Sequence, residues 1–319
     1  DYCVQYRETD FNFISRLMEQ EGIYYYFEHE KGKHTLVLSD SINAHKPYPG
    51  FETVPYYQPD PSHALRERDH LQSWAVTQSI VPGKYAIKDF DFEKPKVDLT
   101  SKLMESSDHA YPLPDPEIFD YPGEYKEPSD GDNYVERKLE ELQAQHERVS
   151  ATGNARGMCS GCTFTLENYT RQDQNKEYLI ISVAHQIEND DLETTGQSGS
   201  GNYYSCQLEL MDVTQTYRSE RITPKPIVQG PQTAIVVGPS SEEIYCDEYS
   251  RVKVQFHWDR YGKTDEKSSC WIRVSQVWAG KGWGAMSIPR IGQEVIVDFL
   301  EGDPDHPIIT GRVYNGQSM

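Results

Sequence analysis

The chain is 319 residues long, with 31 Lys and Arg against 51 Asp and Glu and a formal net charge of −20. A surface this acidic repels phosphate backbones and anionic lipid, which argues against nucleic acid as a partner, and the excess charge serves solubility. No run approaches the roughly 18 apolar residues of a membrane span, and the six cysteines are too sparse for a disulfide scaffold.

The length predicts two or three domains. The chain opens at Asp1 without a Met or a charged-then-apolar leader, which reads as a fragment of something larger. The first predicted element is a helix capped by Thr9 or Asp10, with Phe11, Ile14, Leu17 and Met18 at helical spacing and Gly22 as its stop. A hairpin follows, from Ile23-Tyr24-Tyr25-Tyr26-Phe27 through a Lys31-Gly32 turn to Thr35-Leu36-Val37-Leu38. The tyrosine run reads as a strand with one aromatic face packed inward rather than as a stacking platform for sugars or bases.

Residues 43–70 lack periodicity and read as connection. Strands are predicted at Ser73–Ile80 and Lys84–Phe92, joined by Pro82-Gly83. From Ser101 to Asp130 the chain carries Pro112, Pro114, Pro116, Pro122 and Pro128, the composition of an extended surface loop. A long helix is predicted at about Asn133–Val149, capped by Asp130 or Asp132, with a narrow stripe of Val135, Leu139 and Leu142 that fits packing against one side of a sheet. Further strands are predicted at Cys162–Leu166, Tyr178–Glu188 and Tyr203–Met211. Asp190–Asn202, with Gly196, Gly199 and Gly201, reads as a flexible loop.

Tyr217 to Gly230 bears Pro224 and Pro226 and reads as a stiff domain boundary. Beyond it, short strands are predicted at Thr233–Val237, Glu242–Asp247, Val252–Trp258, Trp271–Val277, Glu294–Leu300 and Ile308–Tyr314. In the last but one of these, Val295, Val297 and Phe299 share one face. Asp303-Pro304 then opens a type I turn, because the proline ring presets φ. An OB-type five-stranded barrel fits this spacing best.

Candidate chemistry is thin. Cys159-Ser160-Gly161-Cys162 lacks the βαβ context of a redox motif and the second ligand pair of a zinc site, so it reads as incidental thiols in a turn. Asp303, Asp305 and His306 read as turn residues rather than metal ligands. His257 falls on the polar face of its strand, and Gly280-Lys281-Gly282-Trp283-Gly284 lacks the context and ending of a phosphate loop. No G-x-S-x-G elbow is present. The expectation is therefore no catalytic residue, no metal and no cofactor, with interface residues not identifiable. From Thr233 onward nine Lys and Arg face twelve Asp and Glu, the wrong sign for a nucleic-acid groove. Trp258, Trp271, Trp278 and Trp283 accordingly read as barrel filling or subunit contact.

The stretch GWGAMSIPRIGQEVIVDFLEGDPDHPIITGRVYN, with RVKVQFHWDRYGK, ITPKPIVQGPQTAIVVGP and YRETDFNFISRLMEQEGIYYYFEHE, resembles the VgrG family of type VI secretion spike proteins and the phage tail hub and spike. The resemblance covers nearly the whole chain. It implies a mainly β (α+β) fold: an antiparallel β-barrel hub-like region over 1–218 (a helix–hairpin segment at about 1–72, a barrel at about 73–218), a linker at 219–232 and a small OB-fold barrel at 233–319. It further implies a homotrimer whose ring of pseudo-sixfold symmetry docks on the hexameric Hcp tube beside baseplate proteins. A β-helical needle beyond Met319 would carry a PAAR-type tip and effectors. The expectation is a structural protein and not an enzyme, made in the bacterial cytoplasm and leaving through the type VI machine without a signal peptide. Relatives usually have a Pro-Gly turn where this chain has Cys159 to Cys162, have further sequence ahead of Tyr6, and continue into the needle. The alternatives are an OB module for glycans or nucleic acid, and a carrier of a cell-wall hydrolase.

Overall fold

In the computed structural model, which describes residues 2–58, 68–104, 116–188 and 203–319, the chain divides by its internal contacts into two units. One comprises Leu17–Ile222 and the other Asp1–Arg16 together with Thr223–Met319. The division falls within the first helix, α1 (Asp10–Glu21). Thr9 Oγ1 accepts the Asn12 N–H at 3.1 Å and so caps its start. Gly22, at φ 71°, ends it with the paired bonds Gly22 N–H to Glu19 O and Ile23 N–H to Met18 O. The expected apolar stripe is only partly inward: Phe11 and Ile14 are exposed, whereas Arg16 is buried.

The Leu17–Ile222 unit begins with the hairpin β1 (Tyr24–Glu30) and β2 (Lys33–Ser39), turning at Lys31-Gly32 as predicted. The stretch read as plain connection holds two short strands, β3 (Lys46–Pro47) and β4 (Thr53–Pro55). Each ends in a proline and lies parallel to a longer strand, an edge placement where a missing N–H costs no ladder bond. The remaining strands are β5 (Leu71–Gln78), β6 (Lys84–Asp89), β7 (Leu99–Met104), β8 (Glu117–Asp120), β9 (Glu147–Gly153), β10 (Cys162–Glu167), β11 (Glu177–Glu188) and β12 (Tyr203–Asp212). The main sheet runs β3-β10-β11-β12-β9-β5, with β4 also on β10. Its buried face carries Leu71, Phe164, Leu166, Tyr178 and Leu210.

Pro82-Gly83 joins β5 to β6, but the two lie in different sheets. A second sheet, β7-β6-β8, supports helix α2 (Pro128–Gln143) through Tyr85, Ile87, Leu99, Tyr125, Val135 and Leu139. Two expectations are corrected here. The proline-dense stretch is not wholly loop, because Ser101–Met104 extends β7 and Glu117–Asp120 pairs in parallel with β6. The helix starts at Pro128, whose fixed φ suits a first helical position, and Asp130 and Asp132 lie inside it. It ends by Gln143, and Val149 belongs to β9, where Val149, Ala151 and Gly153 alternate inward. Pro112, Pro114 and the Asp190–Asn202 loop lie outside the described residues.

The other unit holds β13 (Gln232–Val237), β14 (Lys253–Phe256), β15 (Arg273–Val274), β16 (Trp278–Gly280), β17 (Trp283–Ala285), β18 (Glu294–Phe299) and β19 (Pro307–Val313). Five of them order as β14-β13-β18-β19-β15. Val252 and Ile272 exchange two backbone hydrogen bonds, at 3.0 and 2.8 Å, which joins the two ends of that sheet and closes the barrel. Val236, Val254, Phe256, Val295, Val297 and Ile309 fill the interior. The alternation read from the sequence is the one observed. Glu242–Asp247 is not a strand: Asp247 instead accepts the N–H groups of Tyr249 and Arg251 and binds the Arg251 guanidinium, which commits the segment to a turn. β16 and β17 form a separate hairpin over the glycine-rich stretch.

Candidate functional site

The residues weighed for chemistry are taken up by structure. Asp303 opens the expected turn, with the His306 N–H on its carbonyl and the Asp305 N–H on Oδ1, and its Oδ2 pairs with Lys225 at 2.7 Å. Asp305 departs from a purely local role, because its Oδ1 accepts the Val4 N–H at 2.6 Å across 301 positions of sequence. Burial pushes its carboxyl above the ordinary range, against the pull of that N–H. Tyr6 receives a bond from Gln232, and Arg16 grips Glu8 and the Val4 carbonyl. The first sixteen residues are thereby fastened within the barrel unit.

His257 is exposed, with Nε2 3.0 Å from the Thr233 hydroxyl. The tryptophans do not fill the barrel, whose interior is aliphatic and phenylalanine. Trp258 stacks on Phe256 at the margin and donates to Gln232, and Trp271 lies under Lys253. Among the described residues no group of three or more His, Cys, Asp or Glu is placed to hold a metal. Cys159 and Cys162 are not free thiols as expected: the turn that holds them brings their sulfurs into a disulfide.

Two exposed surfaces stand out, one not anticipated from the sequence and one carrying Trp278 and Trp283, for which barrel filling or subunit contact was expected. In the β1–β2 hairpin Tyr24 points inward, as expected of one aromatic face, but the opposite face is apolar too. Tyr25 and Phe27 lie across from Leu38 and Leu36, and all four are exposed. In the barrel unit the β16–β17 hairpin shows Trp278 and Trp283 edge to face at 5.2 Å, flanked by exposed Val277 and Met286. Contiguous exposed apolar groups on this scale fit protein–protein contact rather than bond-making chemistry. The available signal was apolar residues at consecutive strand positions, which mark both faces of a strand as apolar.

The third feature is an arginine clamp in the Leu17–Ile222 unit. Arg218, buried, donates to the carbonyls of Gly22 (2.9 Å) and Asp40 (2.6 Å) and to Glu140 on α2 (2.7 Å). Arg221 reaches the Gln20 carbonyl. Gly22 has no room for a side chain, since a Cβ there would meet Arg137 at 2.9 Å and Arg218 at 3.2 Å. Further on, Val228 is buried in the barrel core and its N–H donates to Gly302 O.

Residues 1–191 match the family model described as phage tail baseplate hub (GPD), and residues 243–314 match the type VI secretion system/phage-baseplate injector OB domain. The chain is 52% identical over 320 aligned residues to the type VI secretion system spike protein VgrG1a of Pseudomonas aeruginosa, covering 99% of this chain and 48% of that one. It is 40% identical to the spike protein VgrG3 of Vibrio cholerae, over 99% of this chain and 30% of the relative. The chain thus spans about half or less of the length of these relatives. Among solved structures, an Escherichia coli type VI secretion component described as structurally similar to the T4 bacteriophage tail proteins gp27 and gp5 shares the fold. Its TM-score is 0.59 at 16% identity, over 98% of this chain and 62% of that one.

Proposed function

Because the chain belongs to the phage tail baseplate hub (GPD) family and is a homologue of the VgrG type VI secretion spike proteins, we propose that it is the hub and OB portion of a trimeric spike. In this reading the spike caps a hexameric Hcp tube, meets baseplate proteins, and carries a needle with its PAAR-type tip and effectors. The chain is mechanical rather than catalytic: contraction drives tube and spike through a target membrane, and the protein leaves the cytoplasm with the machine. The observation that carries this is 52% identity over an alignment that covers 99% of the chain and so spans both units. No helix among the described residues is long and apolar enough to cross a membrane. We place the hub-like region at 1–218, the linker at 219–232 and the OB barrel at 233–319.

A rigid adaptor between a wide ring and a narrow shaft requires closed symmetry, and a three-fold particle is the simplest that fits a six-membered tube. The test is sedimentation of this chain and of a version extended by a relative's downstream segment, each with and without the tube protein. The expected result is a trimer in the extended version and its co-sedimentation with the hexameric ring. Monomers for both at high concentration, or saturable binding of oligonucleotide or oligosaccharide instead, would overturn the reading.

A further inference from the structure

The turn Cys159-Ser160-Gly161-Cys162 is held by contacts that do not involve sulfur. The Cys162 N–H donates to Cys159 O at 3.1 Å, and Gly161 sits third in the turn at φ 82°, the arrangement of a type II turn. The Gly161 N–H donates to Ile180 O at 2.9 Å and the Ser160 hydroxyl to Ile181 O at 2.7 Å. Both acceptors lie at the irregularity in the β11–β12 ladder between Ile180 and Ser182, which turns successive carbonyls toward the turn. From the other side the buried His45 holds Gly161 O at 2.8 Å through Nδ1, while its Nε2 meets the Tyr24 hydroxyl at 2.8 Å. The Tyr26 ring lies so close over Gly161 that a Cβ would meet it at 2.4 Å.

None of these contacts uses a sulfur atom, so opening the sulfur–sulfur bond removes none of them directly, and a turn held this way keeps the two thiols of the reduced chain close together. A four-residue loop adds little chain-entropy stabilisation when closed. The turn instead pre-organises the reaction, because reactants fixed in proximity react as if at high concentration. Both cysteines are half-buried, within reach of a small molecule.

We propose that Cys159 and Cys162 form a reversible dithiol–disulfide couple that exchanges with low-molecular-weight thiols and disulfides of the glutathione class. In closure one cysteine thiolate attacks a sulfur of the small disulfide, forming a mixed disulfide and expelling one small thiolate. The second cysteine thiolate attacks the protein sulfur of that mixed disulfide, forming the Cys159–Cys162 bond and expelling the other. The two cysteine protons pass to the two leaving thiolates; the dithiol is oxidised by two electrons and the small disulfide is reduced by the same two. Reduction runs the same steps backward. The couple stands whether or not the chain is a secretion spike.

The test equilibrates the full chain in graded mixtures of reduced and oxidised glutathione, traps free thiols by alkylation, and weighs the tryptic peptide Gly157–Arg171, which contains these two cysteines and no other. The expected result is one reversible transition from doubly alkylated to unalkylated peptide. Ser160→Ala loosens the turn in the reduced chain and so lowers the equilibrium constant for closure by at most about 10-fold, the full worth of one hydrogen bond. Gly161→Ala, which forces a side chain into the Tyr26 ring at positive φ, lowers it further. If Gly161→Ala does not fold, Ser160→Ala together with the urea-unfolded wild type, expected to close less readily, decides the matter. A wild-type peptide that stays alkylated in oxidised glutathione, or closure constants equal in wild type, Ser160→Ala and the unfolded chain, would overturn the proposal.

Discussion

In the C-terminal barrel Val252, Val254 and Phe256 alternate with Lys253 and Gln255, and the first set is buried. The other unit has nothing so regular at its decisive positions. Arg218 is buried in a stretch that reads as a domain boundary, and it joins carbonyls at Gly22 and Asp40 to a carboxylate at Glu140. The barrel sheet closes through near neighbours in sequence, Val252 with Ile272 and β18 with β19, whereas the Arg218 clamp joins residues 78 to 196 positions apart. Period-two patterning suffices where partners are close and one face is buried. Where a polar side chain must satisfy distant carbonyls, no local period records it.

Breaking the clamp should have the largest effect. Arg218→Ala leaves two carbonyls without their charged donor and Glu140 with Arg137 as its remaining partner, for a loss of about 3–5 kcal/mol in urea unfolding. Arg221, more exposed, should lose about 1 kcal/mol or less on the same change. Equal effects for the two would end the claim that the clamp is centred on Arg218.

Core truncation sharpens the comparison next. Leu210→Ala in the main sheet and Ile309→Ala in the barrel, both essentially fully buried, should each lose about 2–5 kcal/mol. Amide exchange should accelerate first in β9–β12 for the former and in β18–β19 for the latter.

Asp305→Ala should cost about 1–3 kcal/mol by stranding the Val4 N–H. The Val4 amide should then exchange freely, and Asp305→Asn, which keeps an acceptor, should lose less. An unchanged Val4 amide in Asp305→Ala would show that residues 1–16 are held to the barrel by other means.

The smallest effect expected is a pH dependence from His45. Burial lowers its basicity, outweighing the Gly161 carbonyl that favours the charged form. The unfolded chain therefore takes up a proton near its ordinary value of about 6.5 while the folded chain does not. Stability should decline as pH falls through that value. His45→Gln should flatten the decline between about pH 7 and 5.5. Asp212 acts in a lower window: burial works to raise its carboxyl, but Lys176 and the Thr214 N–H and hydroxyl hold it below the ordinary range. Its contribution is present above the ordinary carboxylate value and is lost only as pH falls through the lower, folded one.

Most strands were legible from periodicity, and β10, β11, β12 and β18 run within a residue or two of their expected limits. Helix α2 was legible in kind but not in extent: the charged run from Asn133 masked the start at Pro128 and the switch to period two at Glu147. The exposed apolar face of the β1–β2 hairpin was hidden because apolar residues at strand spacing look the same whether a core or another molecule covers them.

The amino-acid sequence determined by itself the alternation that builds the barrel, the Gly22 end of α1, the Asp303-Pro304 turn and the family resemblance. These rest on neighbours a few positions apart, or on the order of residues alone. Only the tertiary structure decided that the segment ending at Arg16 packs with the barrel through Val4 and Asp305, that Arg218 clamps distant carbonyls, and that a bulge in β11 supports the cysteine turn. Each of these satisfies a buried polar group with a partner far along the chain, and that pairing exists only once the chain has folded.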